Sequence, residues 1–503
     1  MKKNKIVLFF PSIGNISQPI IPFAFLYLEK SVRDLAVEIV IIDENIGDTY
    51  HDYIQHNLQD ILFVGVSAII GIQIERCVLF STYVKSLSTI PVLWGGWYPT
   101  TLPEQVLKED YIDFIITGQG EIPFRAFTEK MMRRESCEAI PGLGFRKNNI
   151  ITLNAREPIS VHPEFHRVNL SFIDVNRYLS NSNTYCYPAT IGCNMKCTFC
   201  TTGSVYNHLW FHKDIDQIIS DIRYFKEHSP GFNNLSIEDD NFFADRNFVI
   251  DFAKALIANH FPITWAASGH ARTILSQFSD EDMQLIKISG CEGIYIGAES
   301  GDNQILELLN KKTTIEDNLN FVKFLTKHKI TPSFSLMAFI PGNIRKELRL
   351  SALLITKAHL INPSFFATIN YYTPCPNTAL YEIAQKHGFT FPENNEALIH
   401  SLKNKMYLPW IRKKDENWII LIKYFYYRFS DPQYYKKAGS NKTINFILNK
   451  IFYFIIRFRV LIGKFDYPLE AILYLFLLKL TRKEDYYKHM FDISSNIRKV
   501  VIE

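Results

Sequence analysis

Nine residues carry the strongest chemical signal in the chain: Gly192-Cys193-Asn194-Met195-Lys196-Cys197-Thr198-Phe199-Cys200, a C-x3-C-x2-C spacing directly after the apolar run TYCYPATI. Three thiolates this close can hold three irons of a four-iron cluster and leave the fourth iron without a protein ligand. An open coordination position lets a metal engage a substrate rather than only stabilise a fold. A structural zinc site would want a fourth nearby ligand, and His208 and His212 follow within reach, although the spacing does not favour zinc. The bland reading is three coincidental buried thiols. The other five cysteines are scattered, far too sparse for a disulfide scaffold in a protein of 503 residues.

The elements that must position these thiols are legible in the hydrophobic pattern. At roughly 100–200 residues per domain the length suggests about three domains. Residues 1–150 alternate short apolar runs (KIVLFF, VEIVIID, ILFVGVSA, PVLWGG, FIITGQGE) with helical stretches. Such alternation predicts a parallel, doubly wound, Rossmann-like sheet. Gly71, Gly95, Gly96, Gly118 and Gly120 follow strand ends, where ligands of such sheets bind and where glycine lets a ligand approach the backbone. Residues 151–182 read as a linker. A second alternating region, 183–398, supplies six strands in β-α order (TYCYPATI, NLSIEDD, ITWAASG, GIYIGAES, PSFSLMAF, FFATINYYT), the pattern of a partial (β/α)6 barrel. Residues 399–503 have helical spacing and read as a C-terminal helical region.

Composition excludes several classes. Hydrophobic residues make up 47% and charged residues 21%, an ordinary globular balance rather than a disordered or collagen-like one. With 55 Lys+Arg against 51 Asp+Glu the formal charge is +4, so no nucleic-acid partner is expected. The N-terminal apolar run, Ile6 to Phe10, is short, ends at Pro11 and lacks a cleavage-like site; it reads as a first buried strand of a cytoplasmic protein. No stretch reaches about 18 uninterrupted apolar residues, so no transmembrane helix is expected.

The cysteine triplet, with an aromatic just before its last Cys, resembles the signature of the radical S-adenosylmethionine (SAM) family. ILFVGVSAIIGIQI, WGGWYPTTLPEQVL and DFIITGQGEIPF resemble the cobalamin-binding domain of its B12-binding branch. LSIEDDNFFADRNF, GIYIGAESGDNQILELLNKKTT, LMAFIPG and YTPCPNTALYEIAQKHGF resemble successive barrel segments of the same class. Each piece is short; their order over roughly residues 1–395 is what makes the set specific.

The resemblance implies three cofactors: a [4Fe-4S] cluster, SAM and cobalamin. It implies Cys193, Cys197 and Cys200 as iron ligands and Phe199 packed near the cluster. A carboxylate ending the second barrel strand would bind the SAM ammonium. Among Glu238, Asp239 and Asp240, Asp239 is favoured, its neighbours facing the other way because strand residues alternate. Arg272 would pair with the SAM carboxylate, its alternative being a surface arginine. Glu299 and Ser300 would bond the amino group or ribose, with a helix N-cap as the alternative for Ser300. Lys311 matches a family lysine of underived role. Ser67, Gly71, Gln73, Gly95, Gly96, Gly118 and Glu121 would line the cobalamin loops. Cobalamin domains of the methionine-synthase type carry D-x-H-x-x-G with a cobalt-binding His, but here the stretch is Asp43-Glu44-Asn45-Ile46-Gly47. No His of this motif can be the lower ligand, and a scaffold without cofactor is the alternative. Trp97 and Tyr98 are left undecided between the cofactor and the barrel.

The activity so implied is a cobalamin-dependent radical SAM methyltransferase. One SAM methylates the cobalamin, and a second yields the 5′-deoxyadenosyl radical that abstracts hydrogen from an unactivated carbon. The alternatives are a cyclase, oxidase or rearranging enzyme of the same architecture, and a non-catalytic iron–sulfur protein. Expected partners are a small-molecule or lipid-like substrate and an electron donor such as flavodoxin or ferredoxin. The aromatic, basic stretch Ile444–Ile462 has two readings, a cap over the barrel mouth, which is preferred, and a peripheral membrane contact.

Overall fold

The computed structural model describes residues 4–14, 18–157, 167–404, 406–412, 415, 454–455 and 458. The expectation of a helical cap or membrane-facing helices after residue 410 falls almost wholly outside them. The chain forms two compact units: residues 1–268 with 374–381 and 390–407, and residues 269–373 with 382–389 and 408–503. No helix among the described residues is long and apolar enough to cross a membrane.

The first unit opens with a seven-stranded sheet of β1 (Lys5–Phe10), β2 (Glu38–Asp43), β3 (Ile61–Ser67), β4 (Val92–Gly95), β5 (Phe114–Ile116), β6 (Leu143–Lys147) and β7 (Ile150–Leu153), in the order β2-β1-β3-β4-β5-β6-β7. The first five strands are parallel. Their near-continuous apolar residues are buried because helices cover both faces. The order reverses between β1 and β3, the switch point at which such sheets bind ligands. The helix read from Ile20 starts only at Phe23, because Pro22 precedes it.

Two of the expected domain boundaries, 150/151 and 398/399, fall inside elements of the fold. Residues 143–153 form an antiparallel hairpin that extends the first sheet through β5. Asn148 and Asn149 turn it in the left-handed region that asparagine tolerates. The boundary placed at 398/399 cuts through a helix, Asn395–Lys403, whose Leu398 joins the core of the first sheet. Asn395 is its anchor: it accepts from Tyr98 Oη at 2.6 Å, donates to Tyr111 Oη at 2.7 Å, and its main-chain N–H donates to Glu109 at 2.8 Å.

Also in the first unit are β8 (Thr184–Tyr187), β9 (Thr190–Gly192), β10 (Trp210–His212), β11 (Asn234–Ile237) and β12 (Thr264–Gly269). β11 pairs in parallel with β8 and β12, while β9 and β10 form a small antiparallel ribbon. The second unit carries parallel β13 (Cys291–Glu299), β14 (Thr331–Ala338) and β15 (Phe366–Tyr371). The six barrel-type strands β8, β11, β12, β13, β14 and β15 thus follow in the expected α/β order.

Candidate functional site

The carboxyl ends of β1, β3, β4 and β5 open on a cavity of about 520 Å³. Ser67, Gly95, Gly96, Trp97, Gly118 and Glu121 line it from the first sheet, and Cys186, Thr190, Gly192, Tyr206 and Glu238–Asp240 from the strands that follow. Its lining includes the apolar side chains of Leu8, Phe25, Leu93 and Phe124. A Cβ on Gly95 would stand in open space, so this glycine leaves room for a bulky group. Gly96 is required for another reason: its φ is +103°, and a Cβ there would come 2.8 Å from the Ala68 carbonyl oxygen. Burial pushes the Glu121 carboxyl above its ordinary value.

Of the residues expected to hold cobalamin, Gly71 and Gln73 are not brought to the cavity. Gln73 is buried at the foot of the helix Ile74–Leu87, its amide folded against Gly71. Trp97 lines the cavity and also packs edge-on against Tyr206, with ring centroids 6.1 Å apart. The stretch 43–47 is consumed by the fold. Buried Asp43 accepts from the Asn45 main chain at 2.8 Å and from Tyr178 Oη at 3.0 Å. Asn45 ties down Pro11 and Ile13, and Glu44 pairs with Arg76.

The cysteine loop leaves the cavity at Gly192 and comes back to it at Val205 and Tyr206. Gly192 has φ +79°, and a Cβ there would stand 2.3 Å from the Leu209 carbonyl oxygen, so no other residue fits the start of the loop. Cys193 and Cys197 are half-buried and Cys200 is exposed. Phe199 is half-buried beside them. Among the described residues, no three His, Cys, Asp or Glu side chains converge as a single metal ion needs. His208 instead bonds the Met195 carbonyl at 2.9 Å.

At the acidic strand end Asp239 lies on the cavity lining with its carboxylate already engaged by the main chain. Its carboxylate is buried and accepts the main-chain N–H groups of Ala189 and Thr190 at 3.0 and 2.8 Å. Alternation is as expected, but it turns Asp239 into the protein and leaves Glu238 and Asp240 exposed. Near Asp239 lies Lys213, 1% exposed, its ammonium over the rings of Phe23 and Tyr187 at 4.5 and 4.1 Å and 4.0 Å from Asp221. Burial raises Asp239 to about 8 and lowers Lys213 to about 8, each opposed by the charge of the other. Sequence reasoning passed over Lys213; a lysine closing a strand next to an amphipathic helix carries no signal of burial.

The second unit holds the remaining candidates. Arg272 is half-exposed and pairs with Asp317 at 2.9 Å. Glu299 sits at φ +58°, where the pairing of β13 skips a residue, and bonds Lys311 Nζ at 3.1 Å. Lys311 thus has a visible role, as the buried partner of Glu299, and its carbonyl accepts from His270 Nε2 at 2.8 Å. Ser300 is fully buried and accepts from the Asp302 N–H at 3.2 Å; the N-cap of the next helix is Asp302 itself.

Residues 12–128 match the model of the B12 binding domain and residues 187–355 that of the Radical SAM superfamily. An uncharacterised methyltransferase of Pyrococcus horikoshii is 23% identical over 399 residues, 76% of this chain and 84% of that protein. An anaerobic magnesium-protoporphyrin IX monomethyl ester cyclase of Synechocystis sp. is 21% identical over 330 residues, 64% of this chain and 65% of that protein. In fold, the chain is similar to the cobalamin-dependent SAM radical enzyme OxsB, solved with aqua-cobalamin and SAM (TM-score 0.69, 15% identity, 97% of this chain and 75% of that one). It is also similar to the methyltransferase TsrM of Kitasatospora setae, solved with cobalamin and a [4Fe-4S] cluster (TM-score 0.63, 15% identity, 77% and 79%).

Proposed function

We propose that this chain, which belongs to the cobalamin-dependent radical SAM enzymes, is a methyltransferase acting on an unactivated carbon of a small-molecule or lipid-like substrate. The supporting observation is the single cavity onto which the loop ends of the B12-binding domain and the start of the cysteine loop both open. Cys193, Cys197 and Cys200 would hold a [4Fe-4S] cluster, and the loop ends at Ser67, Gly95, Gly96, Gly118 and Glu121 would hold cobalamin. When bound, the cluster supplies the electron that cleaves SAM and the cobalamin carries the methyl group.

The chain's own residues position and shield. Asp239 holds the Ala189 and Thr190 amides, and with them the strand from which the cysteine loop springs. Glu238, exposed on the cavity, replaces Asp239 as the carboxylate available to a SAM ammonium. Apolar walls keep water from a reactive intermediate. An electron donor such as flavodoxin or ferredoxin completes the proposal. Ring formation without methyl transfer is the second reading, favoured by the cyclases among the relatives.

The test is anaerobic reconstitution with iron, sulfide and cobalamin, then SAM and a strong reductant, with products measured by mass spectrometry. S-adenosylhomocysteine together with 5′-deoxyadenosine is expected. Deoxyadenosine alone shifts the assignment to the cyclase type. Neither product from protein with an intact cluster overturns it. Cys197→Ala should lose deoxyadenosine formation altogether.

A further inference from the structure

The segment YTPCPNTALY (Tyr372–Tyr381) follows the last barrel-type strand, and its residues 374–381 belong to the first unit. Two contacts inside that unit define what it does. Asn377 Nδ2 donates to the carbonyl of Thr101 at 2.6 Å. Three residues on, the Leu380 N–H donates to the carbonyl of Thr198 at 2.8 Å. Thr101 closes the short helix Trp97–Thr101, which begins at the cavity-lining Gly96-Trp97, and neighbouring Thr100 accepts from the Gly118 N–H at 2.9 Å. Thr198 lies between Cys197 and Cys200. Three residue steps reach at most about 11 Å.

The link is stiff. Asn377 sits in the left-handed region at φ +63°, and Thr378 Oγ1 closes the turn onto the Cys375 carbonyl at 2.7 Å while Leu380 is fully buried. Asn377 itself is exposed and its bond to Thr101 is only part-buried, so losing the side chain removes a modest hydrogen bond at the outer end of a turn anchored by buried Leu380.

We propose that residues 377–380 are a clasp that sets the distance between the cysteine loop and the cavity-lining loops of the B12-binding domain, with Asn377 as its positioning residue. What the two held loops carry rests on the function proposed above; the contacts do not. Asn377 touches neither loop's ligand-facing groups. It acts through Thr101 on the helix that starts at Trp97.

Hydrogen exchange on the full chain tests the clasp without cofactors. Asn377→Asp keeps the shape and removes the donor; Asn377→Gly keeps the left-handed backbone and removes the side chain. Both should speed exchange about three- to tenfold in peptides covering 97–101 and 193–201 as well as 374–381. Acceleration confined to 374–381 overturns the proposal. In the unsubstituted protein the three segments should open together as denaturant is added, and independent opening likewise overturns it. A positional readout follows on protein loaded with cluster and cobalamin: the magnetic coupling between cob(II)alamin and the reduced cluster should change in Asn377→Asp at equal cofactor content. Unchanged coupling overturns the positioning role. Failure of the unsubstituted protein to load cobalamin or iron would count against the proposed function, and the exchange experiment would still decide the clasp.

Discussion

A carboxylate at the end of a barrel strand has two possible tasks, to bind a ligand or to hold the chain, and Asp239 holds the chain. Asp239→Asn keeps the size but leaves one acceptor oxygen for two buried N–H groups. It should cost about 1–3 kcal/mol in urea unfolding and lower the iron retained after reconstitution. Wild-type stability and iron content would show that the brace is dispensable. His270 makes a second residue-scale case. Burial lowers it from an ordinary 6.5 to about 4 while its Nε2 bonds the Lys311 carbonyl. The ring stays neutral in the fold, so between pH 4 and 6.5 the unfolded chain binds more protons. Stability present above pH 6.5 is therefore lost on acidification towards pH 4, by up to about 3 kcal/mol. His270→Gln, which can still donate to that carbonyl, should flatten this dependence in unfolding curves at pH 5 and pH 7. These roles were illegible in the sequence because alternation says which residues share a face, not which face meets the protein.

At the scale of elements, the parallel strands were read within a few residues because each is a short apolar run bounded by turn residues. Two elements were misjudged, each because its role depends on a distant partner. The 143–153 hairpin is cut by the boundary read at 150/151, because only β5, far back in the chain, supplies the edge on which it pairs. The helix Asn395–Lys403 looks like the start of a separate region until Tyr98 and Tyr111 receive Asn395. Asn395→Leu has a similar volume but takes the acceptor from the buried Tyr98 hydroxyl and the donor from half-buried Tyr111, and removes the anchor. It should cost on the order of 3 kcal/mol and raise exchange in 395–403 before the rest of the first unit. Equal exchange throughout would show that the helix is not held at this point.

For the molecule as a whole, binding of a cofactor to the folded chain must appear as stability. Hydroxocobalamin at about 100 times its dissociation constant should add about 2.7 kcal/mol to unfolding of the cofactor-free protein. Gly95→Val, whose side chain would project into open space, should leave the unliganded midpoint within about 0.5 kcal/mol and abolish the shift. A shift that survives in Gly95→Val would move cobalamin away from this cavity. By itself the sequence determined the α/β class, the alternation of strands and helices in the first domain and the cysteine triplet, because hydrophobic period and cysteine spacing are local properties of the chain. Only the tertiary structure decided that Asp239 braces the cysteine strand, that Arg272 is taken by Asp317, that Lys213 is buried under aromatic rings, and that residues 374–381 return to the cysteine loop. Those facts depend on which distant groups arrive first at each hydrogen-bonding atom, and no spacing along the chain records that.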